Sequence, residues 1–169
     1  EHAAYGYDFP SNRELVDRFE EALEIMTRLQ EDERATVKGR YYWVDDAPFE
    51  PKPVQRPHIP LVIGASGPRM LRLTAKYADE WNTRGPLDQV APRLHALDEA
   101  CRAIGRDPGE ILRSIWPHGD PWTSAEDVRT MVAGYREVGF NELVFAWPGG
   151  DNVEVMRQFA REVMPGLRQ

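Results

Sequence analysis

The hydrophobic positions change their period along the chain. Leu15, Phe19, Leu23, Met26 and Leu29 recur every three or four residues, the spacing of one helix face. Ser11, with Glu14 three residues on, reads as a capping box. A helix is therefore expected over residues 12–30, with Asp17, Glu21 and Glu24 on its solvated side. Residues 39–60 break this pattern. Tyr41, Tyr42, Trp43 and Val44 have strand propensity, and Pro48, Pro51, Pro53, Pro57 and Pro60 forbid a helix. The 39–60 stretch is expected to be an extended excursion, and such long loops often carry function or pack on a neighbour.

From residue 61 onward, short apolar runs alternate with helical stripes. Strands are expected at Leu61–Ile63, Ala78–Thr83, Ile111–Trp116 and Glu142–Trp147. Between them, Pro68 suits a first helical position. Val90, Leu94, Leu97, Cys101 and Ile104 line a helix from Leu87 that stops at Gly105. Ser124 and Asp127 open another, with Val128, Met131, Val132 and Tyr135 inward and Gly139 at its end. Val155, Met156, Phe159 and Val163 mark a last helix over Asn152–Met164. Strand–helix alternation four times over 61–169 implies a parallel sheet with right-handed crossovers. Half of a (β/α)8 barrel and a doubly wound open sheet both fit, and the periodicity does not separate them. The chain is read as a single domain, 1–169.

Size and composition narrow the classes. At 169 residues the chain is long enough for a real core but short of the about 250 residues of a complete barrel. The first residue is Glu1, not Met, so the natural beginning is expected to lie upstream. With 41% hydrophobic and 29% charged residues the composition is globular. No apolar run approaches the ~20 residues of a membrane helix, and no secretory leader pattern opens the sequence. A net charge of −7 without a basic stripe argues against nucleic acid. Cys101 is the single cysteine, so neither an intrachain disulfide nor a cysteine metal cluster is open to it. It is expected as a buried thiol. A cytoplasmic protein without a membrane partner is the expectation.

The candidate chemistry lies at Gly64-Ala65-Ser66-Gly67-Pro68, between a buried strand and a helix start. The first amides of a helix lack internal partners, small side chains let an anion approach them, and the helix dipole adds partial positive charge. A phosphate is the natural occupant, with the Ser66 hydroxyl as a further donor and Arg69 as a charge if it points inward. A plain tight connection explains the same spacing. The turn is neither a Walker loop nor a dinucleotide fingerprint.

The run Pro60 to Leu73, followed by Ala78-Asp79-Glu80-Trp81-Asn82, resembles the luciferase-like monooxygenase superfamily. So do Tyr5 to Pro10, Arg18 to Glu24, Gly39 to Tyr42 with Pro51 to Gln55, and Gly139 to Val144. Glu80 stands where the family usually has glycine. The resemblance covers essentially the whole chain. It implies a (β/α)8 TIM-barrel oxidoreductase that uses FMN or coenzyme F420, of which this chain is roughly the carboxy-terminal half: about four β/α units after a preceding helix. It also implies that the turn Gly64, Ala65, Ser66 and Gly67 holds the cofactor phosphate. Asn82, Thr83 or Arg84 then stands at the pocket mouth, with Thr83 the preferred hydrogen-bonding residue. The deazaflavin F420 is slightly favoured over FMN. The catalytic residues and the small organic substrate are not identified.

A half barrel exposes strand edges and interior. Leu61, Val62, Ile63, Ile115, Val144 and Phe145 are expected to be uncovered, and a homodimer or larger assembly to cover them. Trp116 and His118 are candidate substrate residues, although core filling suits Trp116 equally and an ordinary loop position suits His118 better. Trp147 before Pro148-Gly149-Gly150 reads more readily as a plain turn than as an anion site. His2, His58 and His95 look structural or solvent-facing. No His or carboxylate pair has metal-site spacing, so no metal is expected. The rival reading is a non-catalytic half-barrel module that has lost its cofactor; a phosphosugar-type open sheet is a further rival, decided by strand order.

Overall fold

Ser11 starts the first helix, α1 (Asn12–Glu31), by accepting the Glu14 amide on its hydroxyl at 3.3 Å. The Glu14 carboxylate goes forward to Arg18, 2.6 Å away and one turn on, an ion pair that helical spacing favours. The protein is seen here in a computed structural model that describes residues 1–167. The chain divides into two compact units, Glu1–Leu61 and a second beginning at Val62.

In the first unit α1 is joined by an antiparallel hairpin, β1 (Arg34–Lys38) and β2 (Trp43–Pro48). Ala35 and Val37 are buried between exposed Arg34, Thr36 and Lys38. The 39–60 excursion is therefore partly regular: β2 lies within it, held by a strand just upstream that pairs Val37 with Val44.

Glu21, expected in solvent, clasps the hairpin turn instead. Its carboxylate accepts the amides of Arg40 and Tyr41 at 2.8 Å and of Tyr42 at 2.9 Å. Desolvation raises the Glu21 pKa, but these backbone donors outweigh it and hold the group below the usual carboxylate value. The clasp is therefore fully stabilising at neutral pH and is lost as pH falls through the depressed folded-state value. A side chain at Gly39 would collide with this carboxylate and come within 2.7 Å of the Tyr42 carbonyl oxygen.

The second unit is a four-stranded parallel sheet in the order β3 (Val62–Gly64), β4 (Glu80–Gly85), β5 (Leu112–Pro117), β6 (Glu142–Leu143). The strands alternate with α2 (Pro68–Tyr77), α3 (Leu87–Ala103) and α4 (Ala125–Val138), and α5 (Val153–Glu162) and α6 (Met164–Leu167) follow. Strand order equals sequence order. That is barrel topology; a doubly wound sheet would reverse its order at a switch point. The fourth strand is shorter than the expected 142–147. After the Val144 amide bonds the Ile115 carbonyl, the Ala146 carbonyl is taken by the Trp122 indole at 2.9 Å and the ladder ends. The last helix also breaks, between Glu162 and Met164.

Strand parity sorts the side chains. Ile63, Trp81 and Ile115 face the helices and are buried at 3%, 0% and 0% exposure, alongside Leu71, Val90, Leu97 and Cys101. Desolvation raises the Cys101 thiol pKa. Val62, Leu112, Trp116 and Val144 belong to the opposite parity and are exposed. Ile63 and Ile115 are thus corrected from the uncovered set, because a residue one place along a strand faces the other side. Phe145 is also partly buried, packed against Trp122, Val128, Val132 and Phe159. Leu61 is half-buried. The bare face is the one that fills the interior of a closed barrel.

The first-unit clasp gives a test. Gly39→Ala is expected to destabilise the protein by about 1–3 kcal/mol through overpacking, seen as a lower urea midpoint. An unchanged midpoint would show that the turn relaxes freely.

Candidate functional site

The turn between β3 and α2 is fixed by a single residue. The Ala65 amide donates to the Asn82 carbonyl at 3.2 Å, and the Ala65 carbonyl accepts the Trp81 indole N–H at 2.9 Å. Both backbone polar groups of that residue are thereby tied to β4. The indole is fully buried and stacks on Phe140, ring centres 5.8 Å apart. With Ala65 pinned inward, Ser66 is exposed and Gly67 becomes the α2 cap residue. No side chain caps that helix, and Pro68 occupies its first turn. A Cβ added at Gly64 or Gly67 would meet nothing within 4 Å. The space over the helix start is open.

That space is part of a cavity of about 880 Å³ at the carboxyl ends of β3, β4 and β5. Gly64, Ala65 and Ser66 form one wall, Asn82 to Pro86 a second, and Trp116 to Gly119 a third. Gln89 and Arg93 of α3 complete it. This is the end of the strands where barrel sites are built. The positive charges are Arg84 and Arg93; the Arg93 guanidinium donates to the Arg84 carbonyl at 3.0 Å, which holds it at the rim. Tyr135 fixes two rim loops together: its hydroxyl donates to the Gly85 carbonyl at 2.8 Å and accepts the His118 amide at 3.4 Å.

The residues singled out in the sequence fare differently. Gly64, Ala65, Ser66, Thr83, Trp116 and His118 all line this one cavity. Gly67 sits at the adjoining helix cap. Thr83 is 6% exposed and shares strand parity with Trp81, so its side chain belongs to the helix side. Asn82 has the opposite parity, and its amide donates to the Ser114 hydroxyl at 2.8 Å. Ser114 in turn donates to Glu80. Trp116 is 52% exposed and His118 is exposed. Arg69 is half-buried and is not part of the wall. Gln89 and Arg93 were not foreseen; their i, i+4 spacing puts them on one helix face, but only the tertiary arrangement aims that face at the cavity. Among the described residues no cluster of His, Cys, Asp and Glu could hold a metal.

The sequence model of the luciferase-like monooxygenase family matches residues 1–119. The chain belongs to that family. Among curated relatives it is 27% identical to an F420-dependent glucose-6-phosphate dehydrogenase of Microbacterium testaceum, over 97% of this chain and 64% of the relative. It is 36% identical to a phthiodiolone/phenolphthiodiolone dimycocerosates ketoreductase of Mycobacterium kansasii, over 59% of this chain and 28% of that protein. Among solved structures, an F420-dependent secondary alcohol dehydrogenase, in complex with an F420–acetone adduct, superposes with a TM-score of 0.80 at 20% identity. That match covers 100% of this chain and 66% of the other. A long-chain alkane monooxygenase superposes at 0.78 with 11% identity, covering 98% of this chain and 59% of that one. These likenesses establish the fold: a partial luciferase-like barrel. The chain spans just under two thirds of the length of the first relatives it matches.

Trp81→Phe keeps a ring against Phe140, deletes the donor to Ala65 and leaves a small cavity in the core. A loss of about 1–3 kcal/mol is expected for a carbonyl left unpaired, measured by denaturant unfolding. No loss would mean that the turn does not depend on that bond.

Proposed function

We propose that this luciferase-like chain is the cofactor-phosphate half of an oxidoreductase that uses coenzyme F420 or FMN. The observation that carries the reading is the open cradle at Gly64 and Gly67 over an uncapped helix start, at the mouth of a large cavity. Backbone amides and the α2 dipole suit a phosphate there, and Arg84 and Arg93 add positive charge to the same cavity. Ser66 supplies a hydroxyl at the cradle, and Trp116, with His118 beside it on the same wall, stands on the side toward a substrate. The cofactor, when bound, supplies the hydride or oxygen-transfer chemistry, and the protein's part is binding and orientation. F420 is favoured over FMN because the similar curated proteins carry that dependence in their names. The bare face of Val62, Leu112 and Val144 supports a barrel completed from outside these residues, by further chain or by a second copy in a homodimer or larger assembly.

Titration of the purified protein with F420 and with FMN, followed by fluorescence, tests the reading. Saturable binding of at least one is expected. Gly67→Asp places a carboxylate beside the phosphate; like charges at 4 Å repel by about 1–4 kcal/mol between water and an effective dielectric of 20. Affinity is expected to fall by about fivefold to several hundredfold. Failure of both cofactors to bind leaves the non-catalytic assembly module as the reading.

A further inference from the structure

A second cleft of about 280 Å³ opens beside the cofactor cavity, at the ends of β5 and β6. Its walls are aromatic: Trp116, Trp122, Phe145 and Trp147, closed by Pro148. Trp122 is buried, edge-on to Phe145 at 5.6 Å, and its indole N–H is spent on the Ala146 carbonyl. That bond fixes the segment presenting Trp147, which stands 76% exposed. Trp116, 52% exposed, belongs to both cavities and forms the wall between them.

Charge is divided just as sharply. Arg84, Arg93 and His118 all line the cofactor cavity, and among the described residues no Lys, Arg or His lines the aromatic cleft. The ionisable side chain there is Asp120, whose carboxylate accepts the Trp122 amide at 3.0 Å. Desolvating a phosphate without a cationic partner is strongly unfavourable, and a carboxylate beside it adds repulsion. Exposed indole faces favour apolar and ring-bearing ligands, and the volume suits a compact one, since a cavity of about 150 Å³ accepts benzene. We infer that this cleft is the substrate subsite and that it takes an uncharged, ring-bearing or otherwise apolar carbonyl or alcohol, not a sugar phosphate. The inference rests on the cofactor reading, because it needs a reducing group beyond Trp116. The cofactor, when bound, would supply or accept the hydride at the substrate's carbinol or carbonyl carbon, with a proton exchanged at its oxygen, and Trp116 and Trp147 would hold the substrate's apolar body.

Calorimetric titration of the protein saturated with F420, which occupies the phosphate cradle, with 1-tetralone, a neutral bicyclic ketone, and with glucose 6-phosphate tests this. Saturable binding of 1-tetralone is expected, with no heat from the sugar phosphate at the same concentrations. Trp147→Ala, a change at an exposed position outside the cofactor cavity, is expected to weaken 1-tetralone by about tenfold while F420 affinity stays within about twofold. Tight glucose 6-phosphate binding to the F420-saturated protein, or unaltered 1-tetralone affinity in Trp147→Ala, overturns the inference. F420 binding without 1-tetralone binding sinks this inference alone. The reverse result supports the apolar cleft and removes the cofactor reading.

Discussion

The site depends on one buried aromatic file. Trp81 holds the Ala65 carbonyl with its indole and stacks on Phe140; Phe140 meets Tyr135 edge-on at 6.0 Å; and Tyr135 ties Gly85 to the His118 backbone through its hydroxyl. The three loops around the cavity mouth, after β3, β4 and β5, are thus anchored to one set of rings. Each ring is at most 4% exposed. Rings buried this deeply occupy close-packed surroundings, and the hydrogen bonds at either end transmit that rigidity to backbone atoms at the rim. The turn at Gly64 to Gly67 needs this support, since its own residues are too small to pack.

Strand parity then divides the labour. Residues on the helix side make the core: Ile63, Trp81, Ile115. Residues on the other side make the open face, where Glu80, Ser114 and Asn82 run as a hydrogen-bonded polar row among apolar neighbours. The departure at Glu80 from the family's usual glycine has a local explanation in this row: its carboxylate accepts the Ser114 hydroxyl, and Ser114 accepts the Asn82 amide. At the carboxyl end the chemistry separates again, with cations around the cavity beneath α2 and indoles around the neighbouring cleft.

Much of this was legible from residue order. Ser11, Pro68, Ser124, Gly105 and Gly139 marked helix starts and stops because caps are local chemistry. The stripes of α3 and α4 were legible because burial on one face imposes a 3.6-residue period. The strand, small turn and helix start over 61–68 were legible because they are neighbours in the chain. The polar–apolar alternation of Arg34 to Lys38 was also present, but it became a strand only through pairing with residues up to fourteen positions later. Glu21 looked solvated because its three amide partners lie about twenty residues away in sequence.

What the order of residues determined by itself was the strand–helix alternation, the caps and the small turn before an uncapped helix start, since each follows from contacts within a few residues. Tertiary structure alone decided which face of each strand is covered, how far β6 runs, that Asn82 and not Thr83 points across the open face, and that Arg93 joins Arg84 over the cavity. Those outcomes depend on register and on helix docking. A shift of one residue in register exchanges the two sides of a strand, and nothing local in the sequence fixes it.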